Sequence, residues 1–207
     1  MNKHLSIIVL VILALGAALG GRLFLMSDEG SGGVSLSLAN KTKAIGGPFT
    51  LTTHDGRQVT EKDFAGSPFM VYFGYTFCPD VCPTSLSAIG DAFEILGDRV
   101  NGLPVLFITV DHERDTVEAL ADYVDYFHPN IIGLTGTQAQ IDQAVKSYKA
   151  YYAKVVDKSR EEGEGKGFYL MDHSAFTYFM DETGTMAALF PHGMAPEEMA
   201  KRLGNLL

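Results

Sequence analysis

Two cysteines and one distant histidine are the residues whose types and spacing could carry chemistry. Cys78 and Cys82 are the only cysteines in the 207 residues, and three residues separate them. Two thiolates this close together can bind one soft metal ion such as Cu(I), exchange disulfides with a partner protein, or close a static disulfide. His173 lies far downstream, and its imidazole could supply the third ligand of a trigonal cuprous site. The spacing alone does not place His173 beside the cysteines.

The two cysteines lie where a predicted strand meets a predicted helix. Residues 68–75 are almost all apolar, which is typical of a strand that is covered on both faces. Residues 84–96 carry apolar side chains at three- and four-residue spacing, which predicts a helix. The free N–H groups and the positive dipole at the start of such a helix favour thiolate over thiol. A static disulfide would explain neither this helix entry nor the absence of any other cysteine.

The rest of the chain predicts a mixed α/β domain whose elements follow a thioredoxin-like order. Turns at residues 54–56 and 181–184 predict two β-hairpins. The remaining predicted elements are strands at 103–110, 131–134, 151–156 and 168–171, helices at 116–127, 137–149 and 195–206, and an exposed loop at 158–167. Together they describe a thioredoxin-like fold with an N-terminal β-hairpin and an inserted loop and hairpin. Cys78 then lies at the carboxyl end of a central strand, where open α/β sheets place their chemistry.

The charge balance and the cysteine count exclude two classes of protein. The chain has 16 basic and 25 acidic side chains and a formal net charge of −9. Nucleic-acid binding needs clustered lysine and arginine, so we expect no nucleic-acid partner. A chain with two cysteines cannot build a multi-disulfide framework either.

The N-terminal part of the chain predicts a membrane anchor followed by a tether. Apart from Arg22, residues 5–26 carry no charge, and with Arg22 reaching towards the interface this segment is long enough to span a bilayer. We expect residues 1–4 to stay in the cytoplasm and the domain of residues 48–207 to face a periplasm-like compartment. A cleaved signal peptide is the alternative. Residues 27–47 contain a glycine-rich stretch and predict a flexible tether.

Three motifs, in this order along the chain, resemble the Sco/SenC family. They are residues 73–83 (FGYTFCPDVCP), residues 110–116 (VDHERDT) and residues 172–175 (DHSA), and the resemblance covers residues 45–206. Members of this family are membrane-anchored, thioredoxin-like proteins that serve copper delivery to the binuclear copper centre of cytochrome c oxidase.

The resemblance implies a copper-binding protein with a particular ligand set and particular partners. It implies that Cys78, Cys82 and His173 bind one copper ion, and that residues 5–26 form a single-pass anchor in the bacterial inner membrane. The implied partners are the copper-bearing subunit of the oxidase and other copper chaperones. We therefore expect a metallochaperone rather than an enzyme.

Two positions depart from the pattern of many family members. Phe77 stands where many members have histidine, and His112 stands where many have proline. Asp111 and His112 follow the second buried strand and are candidate auxiliary ligands, and Asp111 could orient a ligand or balance the charge of the metal. The alternatives are a helix cap for Asp111 and an exposed loop histidine for His112.

The other side chains that often bind copper have simpler interpretations. Three histidines lie in turns and are interpreted as solvated turn residues; they are His54, His128 and His192. Three methionines have a spacing that matches core or helix packing better than a copper site; they are Met186, Met194 and Met199.

Two other functions stay open. A thiol–disulfide oxidoreductase would use Cys78 and Cys82 to reduce cysteines of the oxidase subunit or of other extracytoplasmic proteins, and would hold no metal. Such a reductase has little need of His173. A peroxidase of related fold is the third alternative, but no arginine lies close to Cys78 in the sequence.

Overall fold

A seven-stranded mixed sheet organises the part of the chain that this computed structural model describes, residues 45–156 and 168–207. The nine described strands are β1 (Thr50–Thr53), β2 (Gln58–Thr60), β3 (Phe69–Gly74), β4 (Val105–Thr109), β5 (Ile131–Thr135), β6 (Tyr152–Val156), β7 (Tyr169–His173), β8 (Phe176–Met180) and β9 (Met186–Pro191). The spatial order of the sheet is β2-β1-β5-β4-β3-β8-β9. Strands β3, β4 and β5 run parallel to one another, so their carboxyl ends meet at one edge of the sheet.

The helices of the described chain agree with the predicted ones, with one shifted start. They are α1 (Val81–Leu96), α2 (Val117–Val124), α3 (Gln138–Tyr148) and α4 (Pro196–Gly204), with short 3-10 helices at Glu61–Phe64 and Gly97–Val100. Helices α2 and α3 each have a threonine as N-cap. The Thr116 hydroxyl accepts the Ala119 N–H, and Thr137 forms a capping box with Gln140. Helix α1 starts at Val81, three residues before the predicted start, so its first turn includes Cys82.

Aromatic side chains pack against both faces of the sheet, which explains why its central strands are apolar throughout. Every residue of β3 and β4 is buried. On one face, the ring of Phe73 lies 5.6 Å from that of Tyr148 in α3, measured between centroids. On the other face, Tyr72 stacks with Phe107 at 6.2 Å, and Phe107 contacts Tyr123 of α2 at 5.4 Å. The mixed α/β layer fold predicted from the sequence is confirmed.

Strands β6 and β7 form a separate two-stranded sheet, and this sheet carries His173. The strands are antiparallel, with Tyr152 opposite His173. The sequence predicts both strands, but it ends the second one at Met171 and does not predict that the two pair. The loop predicted at residues 158–167 lies outside the described residues.

The predicted membrane segment also lies outside the described residues. This applies to the anchor, residues 5–26, and to residues 27–44 of the tether. In the part of the chain that the structure does describe, no helix is both long and apolar enough to cross a bilayer. The last residues of the predicted tether already pack on the domain, because the Gly46 N–H donates to the Ser147 carbonyl at 3.1 Å.

Gly74, the last residue of β3, allows close packing above the cysteines. A methyl group at this position would lie 2.6 Å from Phe107 and 2.8 Å from the Cys82 sulfur. We predict that Gly74→Ala lowers the free energy of unfolding by about 1–3 kcal/mol, because overpacking a buried position forces its neighbours out of their preferred rotamers.

Gly90, inside α1, provides the matched control. A methyl group there would meet the His128 Cβ at 3.4 Å, an ordinary contact. Gly90→Ala should therefore raise the free energy of unfolding by about 0.5–1 kcal/mol through helix propensity. Urea unfolding of the reduced protein measures both variants. A Gly74→Ala protein as stable as the parent would contradict the close packing described here.

Candidate metal centre

The fold brings Cys78, Cys82 and His173 together. Their two sulfurs and a ring nitrogen of the histidine all lie within 4.8 Å of one another. The Cys82 Sγ is 3.3 Å from the His173 Nε2, and the backbone N–H of Cys82 donates to the Cys78 Sγ at 3.4 Å. The cysteines are free thiols in this structure. Among the described residues, this is the one group of three or more histidine, cysteine or acidic side chains spaced closely enough to hold a metal ion.

The cysteines are placed by the end of β3 and the start of α1. The chain leaves β3 at Gly74, turns through residues 75–80, and enters α1 with Cys82 as the second helical residue. Cys78 therefore lies just outside the first turn of the helix. Its sulfur accepts one of the backbone N–H groups that a helix start leaves without an intrahelical partner.

Asp115 holds the loop that carries Cys78, a role that its place in the sequence does not indicate. Its carboxylate accepts the Thr76 N–H at 3.0 Å, the Thr76 hydroxyl at 2.6 Å and the Thr109 hydroxyl at 2.5 Å. The side chain is fully buried, and burial raises the pKa of Asp115. The signal in the sequence was its place in the motif of residues 110–116, which carries no information about which loop it contacts.

The two thiols differ in accessibility. Cys82 is 0% exposed, whereas Cys78 is 8% exposed and lines a surface cleft together with His173. Pro79, Asp80 and Asp172 also line this cleft. A partner molecule can therefore reach Cys78 and His173 from solvent, while Cys82 lies beneath them.

The two thiols also differ in their tendency to ionise. The pKa of Cys78 is lowered to about 4, first by a hydrogen bond with the Cys82 thiol and then by His173 and by the N–H groups of Asp80 and Cys82. Burial raises the pKa of Cys82, and the adjacent Cys78 raises it further. At neutral pH the reduced pair therefore carries a thiolate on Cys78 and a thiol on Cys82.

Two tyrosine rings and a backbone carbonyl surround His173. The rings of Tyr72 and Tyr75 lie edge-on to the imidazole, with centroids 6.1 Å and 5.8 Å away. The His173 Nδ1 lies 3.3 Å from the carbonyl oxygen of Ser174. With its proton on Nδ1, the imidazole donates to that carbonyl and points the lone pair of Nε2 at the sulfurs.

The two candidate auxiliary ligands lie outside this group. The carboxylate of Asp111 is buried, forms an ion pair with Arg114 and accepts the Tyr169 hydroxyl at 2.7 Å. Its oxygens are thus engaged away from the sulfurs. The helix-cap alternative for Asp111 is wrong, because Thr116 caps α2. His112 is half-buried and is likewise absent from the set of closely spaced ligand atoms in the described chain.

The other three histidines have structural partners. The ring nitrogen of His54 accepts the Gly133 N–H at 3.1 Å, and that of His128 accepts the Asn130 N–H at 3.2 Å. Both side chains are half-buried, so their interpretation as solvated turn residues is wrong. His192 is exposed and lies 2.9 Å from the Ser85 hydroxyl. The packing role of the three methionines is confirmed, since each is buried in the core or packed against it.

The donor set favours one class of metal. Two sulfurs and one imidazole nitrogen are ligands that suit soft ions such as Cu(I), and three donors match a trigonal cuprous site. No carboxylate of the described chain joins the group, so the hard cations that prefer oxygen ligands are poorly matched.

Comparison with known proteins gives the same family as the three motifs. Residues 38–207 match the sequence profile of the SCO1/SenC family. Protein SenC of Rhodobacter capsulatus is 40% identical over 163 residues, which cover 79% of this chain and 71% of that protein. A SCO2-like protein of Rickettsia conorii is 36% identical over 206 residues, which cover 99% of this chain and 98% of that protein.

A solved structure extends the likeness to three dimensions. The structure of Bradyrhizobium japonicum ScoI with copper bound has a TM-score of 0.71 and 41% sequence identity, and the match covers 79% of this chain and 100% of that one. This likeness supports the thioredoxin-like form of the α/β fold.

The lowered pKa of Cys78 predicts its alkylation behaviour. Thiolate is the reactive form, and with a pKa of about 4 it is fully formed above about pH 5 and lost as the pH falls through 4. Between about pH 6 and 8 the iodoacetamide rate at Cys78 should be nearly constant, whereas an ordinary thiol speeds up roughly tenfold per pH unit. Peptide mass spectrometry after timed quenching measures the rate at each cysteine.

Cys82→Ala tests the physical cause of this shift. The variant removes the hydrogen bond that contributes most to lowering the pKa of Cys78, so the Cys78 rate at pH 6 should fall below that of the parent. Glutathione alkylated under the same conditions is the control. A Cys78 rate that follows the glutathione pH profile would show that the thiolate is not stabilised.

Proposed function

The chain belongs to the SCO1/SenC family, and from this premise we propose that it binds one copper ion through Cys78, Cys82 and His173. The observation that carries the proposal is the approach of two sulfurs and one imidazole nitrogen to within 4.8 Å of one another. The copper-bound ScoI structure, 41% identical to this chain, supports the choice of metal. The copper is cargo, delivered during assembly of the binuclear copper centre of cytochrome c oxidase, as the family resemblance implies.

Capture and release are ligand exchanges. Copper binding replaces the proton of the Cys82 thiol, so one proton leaves as the second Cu–S bond forms. On release, the thiolates of an acceptor protein enter by the cleft and displace Cys78 and His173, which line it. Oxidation of the two thiols to a disulfide removes both sulfur ligands, so the redox state of the pair decides whether copper can be held.

The proposed setting of the domain follows from the sequence. Residues 5–26 anchor the chain in the bacterial inner membrane, residues 27–47 form the tether, and the domain of residues 48–207 faces the periplasm. A match over 99% of this chain to the Rickettsia conorii protein includes this N-terminal part. The proposed partners are the copper-bearing subunit of the oxidase and other copper chaperones.

A thiol–disulfide oxidoreductase is the second candidate, and one observation favours it. Cys78 lines the cleft and has a pKa lowered to about 4, the properties of an attacking thiolate, while the Cys82 thiol beneath it would resolve a mixed disulfide. The same two residues would reduce cysteines of the oxidase subunit or of other extracytoplasmic proteins. The peroxidase alternative has less support, because Arg114, which packs beside the neighbouring Phe77, is engaged by Asp111.

Titration of the reduced protein with copper tests the site itself. We expect one copper per chain and, in the cupric form, absorption bands of sulfur-to-copper charge transfer. A protein that binds no copper would leave the oxidoreductase as the better proposal.

His173→Ala separates the two candidate functions. Loss of a residue that only supports a metal ligand weakens metal binding by up to about 100-fold. Because His173 is one of the three proposed ligands, its loss should weaken copper binding by at least that factor. The rate of disulfide reduction should stay close to that of the parent, since both thiols remain and the Cys82 hydrogen bond, which lowers the pKa of Cys78 most, is kept. Competition with a chromophoric Cu(I) chelator measures the dissociation constant, and reduction of a model disulfide measures the second activity.

His192→Ala is the matched control. His192 is an exposed histidine that is hydrogen-bonded to the Ser85 hydroxyl, and it is not one of the three proposed ligands. It should keep the copper dissociation constant of the parent. If His173→Ala keeps it too, the three-ligand proposal fails.

A further inference from the structure

His173 is held in place by the attachment of a small separate sheet. It ends β7, which pairs with β6 and not with the seven-stranded sheet. Tyr169 and Met171 lie on the same side of β7 as His173, because side chains alternate along a strand, and both are buried. The position of the imidazole therefore depends on how this face of β7 is fixed to the rest of the domain.

Arg114 fixes the far end of that face. Its guanidinium lies 3.7 Å from the centroid of the Tyr169 ring, and its Nη1 donates to the Tyr169 carbonyl at 3.1 Å. The same guanidinium forms an ion pair with buried Asp111, which in turn accepts the Tyr169 hydroxyl at 2.7 Å. Tyr169 is thus held by its ring, its hydroxyl and its backbone.

Arg114 also contacts the other half of the site. Its guanidinium lies 4.6 Å from the centroid of the Phe77 ring, and Phe77 is bonded directly to Cys78. One planar group is therefore packed between the loop that carries Cys78 and the strand that carries His173.

We propose that Arg114 is a positioning residue that holds β7 and the Cys78 loop together, so that the His173 Nε2 faces the two sulfurs. Tyr169 and His173 lie four residues apart, roughly 13 Å along the strand, so a tilt at Tyr169 displaces the imidazole. As a statement about copper affinity, this inference rests on the proposed function. As a statement about the position of His173, it does not.

The chemistry of the contact requires arginine rather than any cation. A guanidinium stacks on an aromatic ring, pairs with a carboxylate and donates to a carbonyl at the same time, whereas an ammonium is a compact point charge. Lys154 shows the difference within the same cluster. It lies 3.8 Å from the Tyr169 ring and pairs with exposed Glu113 at 2.7 Å, but the hydrogen bond to the Tyr169 carbonyl comes from Arg114.

Arg114→Lys is the decisive variant, since it keeps a charge for Asp111 and removes the planar group. We expect the copper dissociation constant to rise about 10- to 100-fold, the usual effect of losing a group that orients a metal ligand. The alkylation profile of Cys78 should change less than in Cys82→Ala, because the Cys82 hydrogen bond, which lowers the pKa of Cys78 most, remains. Unchanged copper affinity would overturn the inference as it concerns copper, and the histidine signal described below decides the position of His173.

Arg202→Lys is the matched control. Arg202 is half-buried, lies 5.0 Å from the centroid of the Phe190 ring and donates to the Leu189 carbonyl at 3.2 Å, so it makes the same kinds of contact elsewhere in the fold. Arg202→Lys should leave the copper dissociation constant unchanged. An equal loss in both variants would mean that general destabilisation, not positioning, is responsible.

A readout without copper keeps the two proposals separable. Because the rings of Tyr72 and Tyr75 lie close to His173 and nearly perpendicular to it, their ring currents shift its Cε1 proton, and proton NMR of the reduced metal-free protein reports that shift. We assign the signal by its absence in His173→Ala. In Arg114→Lys it should move towards the value of an unstructured histidine, and in Arg202→Lys it should not move.

The copper titration and the NMR measurement test the two proposals separately. A parent protein that binds no copper refutes the proposed function, and the NMR shift still decides the role of Arg114. If Arg114→Lys does not fold, the pair Arg114→Met with Asp111→Asn replaces it, because this pair removes a buried charge together with its partner. A parent-like histidine signal in the folded variant would overturn the positioning role.

Discussion

The complete burial of Cys82 is the constraint on which the rest of the site depends. A charge is costly in this environment, so the thiol keeps its proton and the negative charge of the pair moves to Cys78, where backbone N–H groups and the cleft can stabilise it. A soft cation can relieve this asymmetry by replacing the proton. The buried Cys82 sulfur also packs closely against Gly74. Any larger residue at position 74 would clash with this sulfur.

One half of the site is built on the central sheet, and the other half is carried by a separate small sheet. The cysteine loop belongs to the carboxyl edge of the central sheet, and the fully buried Asp115 ties it to β4 through Thr76 and Thr109. The histidine belongs to a two-stranded sheet whose attachment to the domain includes side-chain contacts around Tyr169. The position of His173 relative to the sulfurs is therefore set by these side-chain contacts and not by the central sheet.

How far the sequence predicts this structure depends on how local each signal is. The buried strands β3 and β4, the helices and both hairpins follow from apolar runs, periodicity and turn residues, all read over short stretches. The periodic apolar positions predict a start of α1 three residues after the observed one, because Val81 and Cys82 precede them. The sequence does not predict that β6 pairs with β7. The residues between these two strands form a long segment and do not have the turn residues of a tight hairpin.

Residue types made Cys78 and Cys82 candidate ligands and His173 a possible third one, and the resemblance of three motifs to the Sco/SenC family implied the full ligand set and the choice of copper. Only the tertiary structure decided which neighbours act on them. Asp111 was a candidate ligand in the sequence, but in the fold its carboxylate is occupied by Arg114 and Tyr169. Thiol accessibility, the contacts of Asp115 and the place of Arg114 between two elements are likewise properties of packing. They depend on distances between segments far apart in the chain, and a single sequence does not encode those distances in any local pattern.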